Sequence, residues 1–216
     1  MKMESGSENC RFRFERGLTA MLAGDTEKAL ADFESCLKID ADFVPALTSR
    51  AFILSRRQRY RQALRDMTRA LSLRPDHEGN WHNRAVVYTA LGRTREAIGD
   101  YQRALRINPN SAGTLNNLAW ILATTPDSSL RDGPKAVEYA RRSLQIGYIG
   151  AWLDTLAAAL AESGEFDEAI SVEEKAYAMS KFKNESFRCR IEVYRQRLTY
   201  SKWREQRSEL TIANPR

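Results

Sequence analysis

Apolar residues between positions 81 and 107 fall into two runs with helical spacing. Trp81, Ala85, Tyr88 and Leu91 form the first, and Ala97, Tyr101, Ala104, Leu105 and Ile107 the second. Steps of three and four residues keep each set on one face of an α-helix, with polar residues turned away. Gly92 separates the runs and supplies the backbone freedom that ends a helix. Pro109 follows the second run, where it cannot continue a helix. The segment predicts two amphipathic helices, A and B, joined by a tight turn.

The same design recurs along the chain. One column reads Ala29, Ala63, Ala97, Ala136 and Ala169, in steps of 34, 34, 39 and 33 residues. A second reads Gly17, Ala51, Ala85, Ala119 and Ala157, in steps of 34, 34, 34 and 38. A third reads Cys36, Ala70, Ala104, Ser143 and Ala176. Small side chains on both helices of a pair let the two axes approach closely. Five units follow, over residues 10–43, 44–77, 78–111, 112–149 and 150–180. The fourth carries a longer turn over 125–134, in which Pro134 reads as a first-turn proline of the next helix. After Ser180 the period stops. Phe187, Ile191, Tyr194 and Leu198 predict one capping helix over 185–198, covering the apolar face that a last repeat leaves in water. Residues 1–9 read as a disordered leader. Residues 181–216 read as cap and basic tail, with Trp203 onward either packing back or staying mobile.

The columns resemble the tetratricopeptide repeat, which the third unit matches most fully through Trp81, Ala85, Tyr88, Gly92, Ala97, Tyr101, Ala104 and Pro109. Ala41 and Gln58 replace the closing proline of unit one and the turn glycine of unit two. The resemblance implies an all-α, right-handed superhelical solenoid of five helix-turn-helix pairs with a C-terminal capping helix. It also implies a scaffold that binds a peptide or partner helix in its concave groove. The stretch 115–176 is similar to paired repeats of large bacterial proteins.

Five copies in one chain permit an internal comparison. Arg16, Arg50 and Arg84 share one helix-A column, and Asp32, Asp66 and Asp100 share one helix-B column. Units four and five carry Leu118 and Leu156 in the first, Tyr139 and Val172 in the second. Charges that appear and vanish together predict three interhelical ion pairs, because a guanidinium on an apolar face needs a partner. Other helix-A columns point away from helix B. They place Phe52, Arg56, His82, Asn83, Asn116, Asn117 and Trp120 along the groove. An asparagine amide both donates to and accepts from a peptide backbone, and Trp120 offers an apolar platform with one N–H donor. The competing reading makes these columns solvated surface, with Trp120 packed under the long unit-four turn. No lysine stands in these columns in units two to five, so a carboxylate clamp of the kind some repeat domains use is not expected.

Charge adds a second candidate. The net charge is +6, and residues 50–74 hold 8 basic residues and 1 acidic. Arg61, Arg65 and Arg69 recur every four residues on helix B of unit two, as an alternative ridge for a polyanion or nucleic acid. Residues 181–216 hold 10 basic and 4 acidic residues beside Tyr194, Tyr200 and Trp203, which could stack on single-stranded nucleic acid. Self-association through an end face is a third reading. Cys10, Cys36 and Cys189 are scattered and odd in number, which predicts no disulfide and a reducing, cytoplasmic setting. Cys189 reads as buried under the cap. The two histidines, His77 and His82, join no catalytic or metal-binding pattern, so neither catalysis nor a metal or cofactor is expected. No apolar run is long enough to span a bilayer.

Overall fold

The computed structural model describes residues 2–181 and 184–213, and no strand occurs among them. The chain forms two compact units, Met1–Ile107 and Asn108–Arg216. The first holds α1 (Lys2–Leu22), α2 (Thr26–Ile39), α3 (Val44–Arg56), α4 (Tyr60–Leu73), α5 (Glu78–Ala90) and α6 (Thr94–Ile107). They pack as pairs α1–α2, α3–α4 and α5–α6, with α2 against α3 and α4 against α5. The small columns lie at these contacts: Ala29, Ala51, Ala63, Ala70, Ala85, Ala97 and Ala104 are fully buried. At Gly17 the approach leaves no room for a side chain, since a Cβ would stand 2.7 Å from the Phe33 ring. Asp25 caps α2 by accepting from the Lys28 backbone N–H at 3.0 Å.

Two expectations for this unit are corrected. The leader expected over 1–9 is helical from Lys2 onward, as the first part of α1. Met1 lies outside the described residues. Cys10 and Cys36 form a disulfide, where the scattered cysteines predict none. Both are fully buried on the facing sides of α1 and α2, so the helix pairing brings together thiols that the sequence spacing leaves unconnected.

The second unit holds α7 (Ala112–Thr124), α8 (Gly133–Ile146), α9 (Leu153–Glu162), α10 (Phe166–Met179), α11 (Glu185–Arg195) and α12 (Tyr200–Ala213). The long unit-four turn contains a 3-10 helix, Ser128–Leu130, and Asp132 caps α8 ahead of Pro134. Gly24, Gly92 and Gly164 end their helices A at φ +82°, +70° and +85°. Gln58 adopts φ 59° at the same point of unit two, and Arg197 adopts φ 57° between α11 and α12.

Helix α11 stands where the capping helix is expected, and a second helix, α12, comes after it. Two helices follow α10, in register with the repeat. Arg190 falls 34 residues after Leu156, and Arg197 33 after Gly164. The second helix, α12, departs from the repeat in its packing: beyond α11 it contacts α7 and α9. Residues 214–216 of the expected tail lie outside the described residues.

Candidate functional site

Each arginine of the first three units forks onto its aspartate. Arg50 donates from Nε and Nη2 to Asp66 at 2.7 and 2.7 Å, and Arg84 to Asp100 at 2.6 and 2.9 Å. Arg16 donates from Nε to Asp32 Oδ2 at 2.8 Å and from Nη2 to Oδ1. The aspartates are buried, Arg50 and Arg84 are partly buried, and Arg16 is exposed. The fork from Arg16 holds the Asp32 carboxyl below the usual carboxylate range. The Arg84 guanidinium also lies 5.0 Å from the Trp81 ring and 5.5 Å from the Tyr88 ring. These six residues tie helix A to helix B in each pair.

The expected groove residues divide between the two units. In the first, Phe52 and Val86 stand exposed in equivalent positions on α3 and α5. Arg56 lies 5.9 Å over the Phe52 ring, and Ser49 and Asn83 are half-exposed one turn earlier. His82 turns inward, its ring 5.6 Å from that of Tyr101, and burial lowers its imidazole pKa against the opposing pull of Glu78. In the second unit Asn116 is buried, with an Oδ1 that lacks a partner, and Asn117 is half-buried. Trp120 packs against Tyr200 with ring centroids 5.7 Å apart.

The basic ridge is only partly available. Arg69 forks onto Asp42 at 2.8 and 2.7 Å. Arg61 and Arg65 are exposed on α4, beside an open depression of about 580 Å³ that Leu64 and Thr68 also line.

Glu173 reads in the sequence as solubilising charge on the outer face of unit five, but it lies in a buried charge cluster. Arg190 on α11 donates from Nε to Glu173 Oε1 at 2.6 Å and from Nη2 to Asp154 Oδ2 at 3.1 Å. Two carboxylates thus share one guanidinium. Glu173 is fully buried, its Oε2 and the Tyr194 hydroxyl lack partners, and burial pushes its carboxyl up to about 7. The signal was the Arg16–Arg50–Arg84 column, which Arg190 rejoins in register. Cys189, expected beneath the cap, is exposed. Among the described residues no group of three or more His, Cys, Asp or Glu could hold a metal ion, and no helix is long and apolar enough to cross a membrane.

Paired helices in register, fastened by recurrent Arg–Asp forks, define a helical-hairpin repeat protein. Models of the tetratricopeptide repeat match residues 11–43 and 50–127, and the chain belongs to that family. A thermophilic repeat protein of Thermus thermophilus superposes with TM-score 0.63 at 21% identity, over 86% of this chain and 98% of that one. YrrB, described as having an unusual peptide-binding site, superposes with TM-score 0.65 at 16% identity, over 82% and 89%. The first repeat domain of Spaghetti (RPAP3), bound to an HSP90 peptide, gives TM-score 0.51 at 24% identity, over 53% and 94%. No curated protein sequence matches the chain.

Proposed function

We propose that the chain is a protein-interaction scaffold, without catalysis of its own, that binds a peptide or partner helix on a helix-A face. The observation that carries this reading is the exposed pair Phe52 and Val86 on successive helices A, flanked by Arg56 and Asn83. Together they offer apolar contact, one cation and one amide able to hold an extended backbone. Helices fastened by buried forks keep that face preformed, so little ordering of the host opposes binding. The peptide-binding site named for YrrB and the peptide complex named for Spaghetti are consistent with this use of the fold. The buried disulfide favours an oxidising compartment over the cytoplasm.

The test starts from a peptide selected on the full chain from a random library. Its affinity should fall at least about tenfold, or ~1.4 kcal/mol, for Phe52→Ala/Val86→Ala, with the Tm unchanged. A selected peptide indifferent to both changes would overturn the reading. The polyanion alternative keeps Arg61 and Arg65 as its cations. It requires binding that falls steeply with salt and is lost in Arg61→Ala/Arg65→Ala.

A further inference from the structure

Equivalent helix-A positions are open on α3 and α5 and covered on α7 and α9. Phe52 and Val86 are 48% and 36% exposed, whereas Ala158 in the same column is 1% exposed and Trp120 is half-buried. The element packed there is α12, which reaches both α7 and α9. Its first turns supply specific contacts. The Tyr200 ring lies 5.7 Å from Trp120 and equally far from Trp203. Ser201 is buried and donates its hydroxyl to Glu162 Oε2 at 3.3 Å. Glu205 stands 3.7 Å from Arg131, whose Nε is held by Glu162 at 3.0 Å.

The segment that leads into α12 is anchored by Arg197, which pairs with Asp167 at 3.0 Å and lies over the Phe166 ring. Residues 196–199 join α12 to α11, and Arg197 takes the left-handed conformation that a β-carbon disfavours. The ion pair to Arg131 is long, and its carboxylate is half exposed. An element tethered this way acts as an intramolecular competitor, at an effective concentration on the order of millimolar.

We propose that the helix-A face of α7 and α9 is a helix-binding site occupied in cis by α12. Its partner is a helical segment that repeats the chemistry of α12: two aromatic residues three apart, then a carboxylate that reaches Arg131. That partner enters by displacing α12, so its apparent affinity is lowered by the fraction of chains in which α12 is seated. The inference rests on the reading of helix-A faces as binding surfaces, but on residues separate from Phe52 and Val86.

The experiment uses the full chain and a labelled peptide of residues 198–213. Glu205→Lys sets a cation against Arg131 and leaves α7 and α9 intact. It should bind the peptide at least about tenfold more tightly than wild type, because the competitor in cis is weakened. Tyr200→Ala, which removes the ring from Trp120 instead, should act in the same direction. Adding Trp120→Ala to either variant should abolish the gain. Equal affinity for wild type and both variants, no binding to any of them, or a gain that survives Trp120→Ala would overturn the proposal. Phe52→Ala/Val86→Ala should leave this binding unchanged, so each reading can fail without the other.

Discussion

The fork from Arg84 to Asp100 places a guanidinium between two aromatic rings and one buried carboxylate. Its value lies in mutual compensation, since neither charge is stable there alone. Arg84→Ala leaves Asp100 buried and unpaired and should cost about 2 kcal/mol or more. Arg84→Leu with Asp100→Val removes both charges and should cost less. Urea unfolding of both variants checks this, and a single-variant loss at or below the double-variant loss would contradict the pairing. Glu173 behaves oppositely, because two carboxylates face one arginine. Its carboxyl ionises at about 7 in the folded chain against 4.5 as the reference value. Between those values the folded chain binds more protons than the unfolded one. Its contribution is therefore full below the lower value and is lost as the pH rises through the upper one. Arg190, Asp154 and Tyr194 are the charged and titratable groups facing it. Thermal melts from about pH 5 to about pH 8 should show a falling Tm attributable to this site, with a flatter curve for Glu173→Gln. Identical curves would remove Glu173 from the account.

Turns set the order of the elements. Gln58 occupies a left-handed position that glycine fills in three other units. Gln58→Gly should stabilise the first unit by roughly 1 kcal/mol, since the side chain opposes that conformation. An unchanged or lower urea midpoint would show that the turn of unit two tolerates its side chain at no cost. The paired helices and the Arg–Asp ties were legible because small residues and compensating charges recur at fixed steps. The pair α11–α12 was not. At its start the small column holds Ile191, its turn holds Arg197, and Arg190 takes its acids from earlier helices rather than from the one that follows. The small residue and the turn glycine are lost there, and the arginine that remains has no aspartate on the following helix. The disulfide was illegible for another reason: a separation of 26 residues carries no pattern until α1 and α2 face each other. Of the candidate site, the exposure of Phe52 followed from its column. The inward turn of His82 and the covering of Trp120 depended on packing partners that the column does not specify.

At the scale of the molecule, two compact units carry the same helix-A columns in different states. The first leaves Phe52 and Val86 in solvent, and in the second Trp120 is packed by Tyr200 of α12. The basic residues add a competing surface on α4, where Arg61 and Arg65 remain exposed. The measurement that separates these surfaces is hydrogen exchange of the full chain with and without the selected peptide. New protection is expected on α3 and α5, around Phe52 and Val86, with α4 unchanged. Protection confined to α4 around Arg61 and Arg65 would contradict it and move the binding surface to the basic ridge.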